Sequence, residues 1–286
     1  MMAKLHAVAL VTALSLPLLA QDPRPTLPDS VSLEANIPYG EYKETVLDIY
    51  QPKAPASQKR PGVIVIHGGG WVGGTKDDYG VRVCSRYVEK GFVCASVEYR
   101  LAKVATAPAA VTDVLDAARW FDKNANKYRV DTKRIVVTGG SAGGHLSLMV
   151  GMTPGSAKLG PPAKVEAVVN FYGITDVADQ LSGPHMQDYA VTWVPEQQGR
   201  LALAERVSPM TYVRKDLPPI LTIHGDADDT VPYEHGVKLT KALRDAGADA
   251  ELVSVPQGAH GFPQAKEDEI YEQSIWPFLK KHGILR

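Results

Sequence analysis

The sequence of 286 residues lacks several features that would point to particular classes of protein. Lysine and arginine together number 31, and aspartate and glutamate 32, so no basic excess attracts a nucleic acid and we expect no nucleic-acid partner. Two cysteines are too few for a disulfide scaffold or a cysteine-based metal cluster. The chain has no H-E-x-x-H motif and no histidine and aspartate cluster with metal-ligand spacing, so we expect neither a metal ion nor another cofactor.

The two cysteines, Cys84 and Cys94, are expected on a helix and on the strand that follows it. In an oxidising compartment such a pair can form a disulfide. Cysteine is also a common buried core residue, so the sequence leaves both states open.

The N-terminal segment predicts a secretory signal peptide. Lys4 gives a weakly positive start, and the apolar run from Ala7 to Ala20 is too short to span a bilayer comfortably. We expect cleavage after Ala20, no membrane contact of the mature chain, and a secreted or periplasmic protein. A buried N-terminal helix is the alternative. Residues 21–30 contain three prolines and predict a flexible leader.

Residues 31–286 show the alternation of strands and helices that is typical of an α/β fold. Two strand-like runs within residues 31–50 flank Pro38-Tyr39-Gly40 and predict an antiparallel hairpin. Further strands are expected at residues 62–66, 92–99, 135–137, 165–171, 220–223 and 251–255, and helices at 78–90, 109–124, 145–152, 234–246 and 267–282. The pattern predicts one domain with a mostly parallel sheet of about eight strands, helices on both faces, and a small insertion near residues 176–207.

Ser141 lies in the turn Gly139-Gly140-Ser141-Ala142-Gly143, after a buried strand and before an apolar helix. A serine nucleophile has to project from a tight strand-to-helix turn, where flanking glycines permit a strained backbone. This context predicts that Ser141 is a catalytic nucleophile. An ordinary glycine and serine turn is the alternative.

The segment His67-Gly68-Gly69-Gly70-Trp71 follows another buried strand. The N–H groups of Gly69 and Gly70, together with that of Ala142, are predicted to stabilise an oxyanion. The alternative is a phosphate-binding loop. However, no Lys-Ser/Thr ending is present, and residues 68–73 imitate G-x-G-x-x-G without an acidic ribose partner at a fitting position.

An acid and a histidine follow in loops after two later strands. The acid is among the aspartates of His224-Gly225-Asp226-Ala227-Asp228-Asp229, and the histidine is His260. The order serine, acid, histidine predicts a catalytic triad in which His260 takes the proton of Ser141 and a carboxylate orients the imidazole.

Together, the motifs HGGGW, GGSAGGH, HGDADDTVP and GAHGF resemble those of α/β-hydrolase esterases. The resemblance is to the arm that groups hormone-sensitive-lipase-like carboxylesterases with bacterial feruloyl and acetylxylan esterases. It covers nearly the whole mature chain and includes residues 98–101 and 172–176. It implies a serine carboxylesterase of α/β-hydrolase fold, and the pattern H-G-x-x-D-x-x-V-P maps the acid onto Asp228. Asp226 and Asp229 lie too close in the chain to be excluded.

The resemblance does not specify the substrate. We expect a small-molecule or polysaccharide-linked ester with a short-chain, acetyl or feruloyl acyl group. A peptidase or amidase of the same fold and a non-catalytic binding protein are the alternatives. Because the strands begin soon after residue 30, a lid has to come from residues 176–207. Four aromatic residues are expected to line the cleft: Trp71, Tyr172, Tyr189 and Trp193. For Tyr189 and Trp193, covering the core is an equal alternative.

The remaining histidines have structural interpretations. We expect His67 to orient the glycine loop, His145 to pack within its helix, and His224 to bond to the backbone. The other three, His185, His235 and His282, are expected at the surface.

Overall fold

A computed structural model of the chain describes residues 27–286. The predicted signal peptide and most of the predicted leader lie outside the described residues. Eight strands form one sheet in the order β1-β2-β4-β3-β5-β6-β7-β8. They are β1 (Val31–Pro38), β2 (Val46–Pro52), β3 (Arg60–Ile66), β4 (Val93–Val97), β5 (Val130–Gly140), β6 (Ala167–Phe171), β7 (Ile220–Gly225) and β8 (Ala250–Val255).

The sheet is antiparallel only at its N-terminal edge. Strand β1 pairs with β2 and β2 with β4 in antiparallel fashion, and all other pairs are parallel. The predicted strand number and the N-terminal hairpin are therefore confirmed.

Helices cover both faces of the sheet. They are α1 (Lys76–Glu89), α2 (Ala109–Lys123), α3 (Ala142–Met152), α4 (Asp188–Trp193), α5 (Arg200–Arg206), α6 (Glu234–Asp245), α7 (Gln264–Ile270) and α8 (Trp276–Lys281). The π-helical turn Tyr271–Ile275 joins α7 to α8, so the predicted C-terminal helix is nearly continuous. Among residues 27–286, no helix combines the length and the hydrophobicity needed to cross a membrane.

Strand β3 is apolar at successive positions because both of its faces are buried. Ile64 and Ile66 belong to the core cluster that includes residues of α2 and α3. Val63 and Val65 belong to the cluster on the opposite face, with residues of α1 and α8. Since side chains alternate along a strand, a strand covered on both faces is apolar throughout.

The predicted insertion lies between β6 and β7. It consists of short elements, namely α4, α5 and the 3₁₀ turns Ala178–Gln180, Gly183–His185 and Pro209–Tyr212. Its buried apolar side chains, such as Val177 and Val194, join the core cluster under α2 and α3.

A disulfide joins Cys84 of α1 to Cys94 of β4, with their Cα atoms 5.5 Å apart. This decides between the two states that the sequence left open. Helix α1 is also held at its first residue, where Lys76 Nζ lies 2.9 Å from Asp48 Oδ2 on β2. Arg82 and Arg86 of the same helix pair with carboxylates of α7. Helix α1 is therefore anchored along its length.

The disulfide should stabilise the fold by restricting the unfolded chain. We expect the double substitution of Cys84 and Cys94 by alanine to lower the free energy of unfolding by about 3 kcal/mol, the value for a loop of this short length. Urea unfolding of both proteins measures the difference. As a control, a reductant should destabilise the wild type and leave the double variant unchanged. Equal stability of the two oxidised proteins would show that the disulfide contributes nothing.

Candidate active site

Ser141 stands between the end of β5 and the start of α3 with φ 58° and ψ −123°. A positive φ costs a non-glycine residue about 1–3 kcal/mol, so the surroundings have to impose it. Two glycines allow this. A Cβ at Gly139 would lie 2.5 Å from the carbonyl oxygen of Ile66, and one at Gly143 would lie 2.2 Å from it. The turn packs directly on the backbone of β3, and only glycine fits at these two positions.

The structure brings Ser141, Asp228 and His260 together, although they are far apart in the chain. His260 Nε2 lies 2.9 Å from Ser141 Oγ, and His260 Nδ1 lies 2.8 Å from Asp228 Oδ2. The three residues follow β5, β7 and β8, which are parallel, so their loops meet at the carboxyl edge of the sheet. The result is a continuous line of hydrogen bonds from carboxylate to hydroxyl.

The side chain of Asp228 is fully buried, yet its surroundings favour the ionised form. Burial alone raises the pKa of a carboxyl group, but hydrogen bonds from His224 and His260 and from the Val231 N–H outweigh it and hold the pKa of Asp228 well below its usual range. Oδ1 accepts the N–H groups of Thr230 and Val231, each at 2.9 Å. Asp228 is therefore an anion fixed on both oxygens.

The two neighbouring aspartates bond elsewhere. Asp226 Oδ1 accepts the backbone N–H of Gln257 at 2.6 Å, and Asp229 Oδ1 accepts the hydroxyl of Thr230 at 3.2 Å. They stabilise the loops, and Asp228 is the aspartate whose carboxylate faces His260.

His224 has a contact that its sequence position did not reveal. Its Nε2 lies 2.9 Å from the carbonyl oxygen of Val231, as expected of a backbone bond, and also 3.3 Å from Asp228 Oδ2. Both neighbours are acceptors, so Nε2 carries the proton. Within residues 27–286, Nδ1 of this buried ring has no hydrogen-bond partner. His224 therefore provides a second imidazole N–H at the carboxylate that His260 contacts.

The glycine loop faces Ser141 from the end of β3. Gly69 and Gly70 have φ values of 106° and 58°, and their N–H groups form no hydrogen bond within the described part of the chain. Ala142 is the first residue of α3, where an N–H group has no acceptor within its own helix. His67 holds the loop, because its Nδ1–H donates to the carbonyl oxygen of Gly68 at 2.7 Å and its ring stacks on Tyr99.

These groups surround a cavity of about 450 Å³. It is lined by His67, Gly68, Gly69, Gly70, Gly74, Thr75, Tyr79, Gly140, Ser141, Tyr172, Tyr189, Thr230 and His260. Of the four aromatic residues expected at the cleft, Tyr172 and Tyr189 line it. The sequence did not indicate Tyr79, because it lies in the first turn of α1, away from every recognised motif.

The expectation that Trp71 lines the cleft is wrong, and for Trp193 the structure decides in favour of the alternative, covering the core. Both side chains are completely buried and stack on each other, with ring centroids 4.1 Å apart. The indole N–H of Trp71 donates to His145 Nδ1 at 3.2 Å. Large apolar rings gain most from full burial when the single polar atom has a partner, and the core offers this to Trp71. Within residues 27–286, the buried indole nitrogen of Trp193 has no hydrogen-bond partner.

Two further histidines are buried, one as expected and one against expectation. His145 packs in α3 as expected, and its Nε2–H donates to the carbonyl oxygen of Val207 at 2.6 Å. The expectation of a surface position is wrong for His235, which is 5% exposed and lies 3.1 Å from Asp179 Oδ2 in the insertion. Its Nδ1 accepts the N–H of Thr175 at 3.0 Å.

One group of side chains has the spacing of metal ligands. The ligand atoms of Asp249, Glu251 and His282 lie within 4.8 Å of one another. However, Lys281 Nζ lies 2.8 Å from Glu251 and 3.5 Å from Asp249, so an ammonium group already pairs with these carboxylates.

The fold and the site define the class of this protein, which is an α/β-hydrolase with a triad of serine, histidine and aspartate. The family profile described as BD-FAE matches residues 47–243, and the chain belongs to that family.

Similar proteins agree with this class. The esterase LipQ of Mycobacterium tuberculosis is 30% identical over 244 residues, which are 81% of this chain and 58% of LipQ, so the chain spans less than two thirds of that relative. A truncated carbohydrate esterase from gut microbiota is 29% identical with a TM-score of 0.76, covering 89% of this chain and 97% of that one. The butyrate-bound esterase Est2 of Thermogutta terrifontis is 26% identical with a TM-score of 0.74, covering 90% and 96%. The predicted resemblance to α/β-hydrolase carboxylesterases is confirmed.

The burial of His145 predicts a pH-dependent stability. Burial lowers the pKa of His145 to about 4, despite the opposing hydrogen bond to Val207. Between the unfolded pKa of about 6.5 and the folded value, only the unfolded chain binds a proton at this residue, so stability falls as the pH falls. From pH 7 to pH 4, we expect the wild type to lose about 3 kcal/mol more than His145→Gln in urea unfolding. If the free energies of unfolding of the two proteins depend on pH in the same way, His145 is not the source of the pH dependence.

Proposed function

We propose that the protein is a secreted serine carboxylic-ester hydrolase that works through an acyl-enzyme on Ser141. The observation that carries the proposal is the hydrogen-bonded line from Asp228 through His260 to Ser141, which ends at a strained serine beside unbonded N–H groups. This is the arrangement that acyl transfer by a serine hydroxyl requires.

In the first half-reaction, Ser141 Oγ attacks the ester carbonyl carbon while its proton moves to His260 Nε2. The carbonyl oxygen becomes an oxyanion, which the N–H groups of Gly69, Gly70 and Ala142 stabilise. When the tetrahedral intermediate collapses, the bond to the alcohol oxygen breaks and His260 returns the proton to the leaving alcohol. A water molecule then attacks the acyl-enzyme by the same route, which releases the acid and restores Ser141.

Asp228 supports both half-reactions without exchanging a proton. Its carboxylate accepts Nδ1–H of His260, which directs Nε2 toward Ser141 and stabilises the imidazolium that forms. The N–H of His224 and two backbone N–H groups keep this carboxylate ionised and in place.

For the substrate, we propose acetyl, other short-chain or feruloyl-type esters, on small molecules or on polysaccharides. The cavity of about 450 Å³ accommodates an acyl group of limited size. Two similar proteins support this range, since one is a carbohydrate esterase and the other binds butyrate.

Secretion or export to the periplasm is part of the proposal. The apolar run from Ala7 to Ala20 has the properties of a signal peptide. The disulfide between Cys84 and Cys94 is of the kind that persists in oxidising compartments.

Removal of the nucleophile tests the mechanism. We expect Ser141→Ala to lower kcat for p-nitrophenyl acetate by at least about 10⁴-fold, because no other group in the cavity forms the acyl-enzyme. A fluorophosphonate should label the wild type and should fail to label Ser141→Ala or His260→Ala. Near wild-type activity of Ser141→Ala, or a wild type that does not react with the fluorophosphonate, would overturn the proposal.

The second imidazole N–H at Asp228 should matter for the rate. We expect His224→Leu to lower kcat for p-nitrophenyl acetate by about 10- to 100-fold, since a hydrogen bond to a buried charge is lost, and to leave KM nearly unchanged. His224→Gln is the matched control, because its amide N–H can replace Nε2–H, and it should restore most of the rate. If the Gln and Leu variants have equal kcat, His224 acts by packing alone.

A further inference from the structure

Two tyrosine hydroxyls lie beside Ser141 without a role in the mechanism above. Tyr79 Oη and Tyr172 Oη are 3.2 and 3.1 Å from the position that a Cβ at Gly140 would occupy. Both residues line the cavity. Within residues 27–286, neither hydroxyl forms a hydrogen bond, and neither is among the fully enclosed polar atoms that lack a partner, so both keep accessible surface. Their polar atoms therefore face the space that a substrate enters.

A third tyrosine in the same cavity is different. Tyr189 packs against Gly70 on the oxyanion side, but its hydroxyl donates to Gln180 Oε1 at 3.0 Å. Its hydrogen-bonding capacity is used within the protein. Tyr189 therefore offers a substrate only its ring, whereas Tyr79 and Tyr172 also offer their hydroxyls.

Both unpartnered tyrosines are held firmly in place. Tyr172 has a left-handed backbone with φ 38°, its N–H donates to the carbonyl oxygen of Ile223 at 2.8 Å, and the Phe262 ring packs edge-on against its ring. Tyr79 lies in the first turn of α1, the helix anchored by the disulfide, with the guanidinium of Arg82 over its ring. The two hydroxyls are therefore preorganised.

The hydroxyls keep their protons at neutral pH. Burial raises the pKa of Tyr79 to about 12, an effect that the charge of Arg82 only partly offsets. Burial also raises the pKa of Tyr172 well above its usual range. A protonated phenol both donates and accepts a hydrogen bond, which is what a neighbouring alcohol group needs.

The alcohol portion of the ester is the part that reaches these hydroxyls. The carbonyl oxygen points toward the loop of Gly69 and Gly70, and the leaving oxygen has to reach His260 Nε2 to receive its proton. Tyr172 packs on the His260 ring with centroids 4.8 Å apart. A leaving alcohol that receives its proton from His260 would therefore extend along Tyr172. A hydroxyl on that alcohol, close to the ester bond, falls within reach of both tyrosines.

We infer that Tyr79 and Tyr172 are specificity-determining residues that bind a hydroxyl of the leaving alcohol and select esters of polyhydroxylated alcohols. The inference rests on the proposed function and adds the alcohol side of the substrate to it. An ester with a plain alkyl alcohol fills the same space and leaves two buried hydroxyls without partners. A site built to bond a hydroxyl discriminates strongly against an analogue that lacks it.

The test compares two acetates of three-carbon alcohols, glycerol 1-acetate and n-propyl acetate. They share the acyl group and differ in two hydroxyls. The measured quantity is the selectivity, the ratio of kcat/KM for glycerol 1-acetate to that for n-propyl acetate. We expect the wild type to favour glycerol 1-acetate by at least about tenfold, and Tyr79→Phe and Tyr172→Phe each to lower the selectivity about five- to tenfold. The double variant should bring it close to one.

Tyr189→Phe is the matched control, because it removes a hydroxyl of the same cavity that bonds to Gln180. It should leave the selectivity at the wild-type value, whatever it does to the two individual rates. A wild-type selectivity near one, or selectivity retained in Tyr79→Phe and Tyr172→Phe, would overturn the inference. Failure of the wild type to hydrolyse either acetate would instead overturn the proposed function.

Discussion

The strained backbone of Ser141 is the constraint on which the rest of the site depends. With φ 58°, Ser141 is the single residue that joins β5 to α3, and its hydroxyl lies at the carboxyl edge of the sheet. The strain persists because Gly139 and Gly143 let the turn pack against the backbone of Ile66. The same contact places the glycine loop that follows β3 opposite the hydroxyl. Nucleophile and oxyanion donors are thus positioned by one packing arrangement between neighbouring parallel strands.

The buried carboxylate of Asp228 is the second constraint, and it is electrostatic. An unpaired charge in this position would be strongly unfavourable, so four N–H groups converge on it from His224, His260, Thr230 and Val231. These bonds also determine the shape of the loop after β7. The insertion also stabilises this loop, since the side chains of Gln180 and Gln187 donate to the carbonyl oxygen of Thr230. The loop that carries the acid is therefore held from both the sheet and the insertion.

The sequence predicts most of the fold and of the reacting groups, because both leave local signals. Buried parallel strands are apolar runs, and Ser141, Asp228 and His260 each follow one within a motif. The errors concern burial. Trp71 beside the glycines looked like a cleft residue, and His235 looked like a surface residue. Their burial depends on partners in distant segments, Trp193 and Asp179, whose positions follow from how residues 176–207 fold. No periodicity encodes such contacts.

The same reasoning explains why the groups around the substrate are harder to predict than the groups that react. Tyr79, Tyr172 and Tyr189 come from α1, from the end of β6 and from the insertion, and each sits in the cavity for a different reason. Tyr79 is placed by the anchoring of α1, Tyr172 by its backbone conformation, and Tyr189 by its bond to Gln180. The aromatic lining of the cavity is therefore distributed over three elements, and the proposed selectivity belongs to the first two. The catalytic chemistry, which depends on the elbow at Ser141 and on the Asp228 loop, does not require them to stay the same.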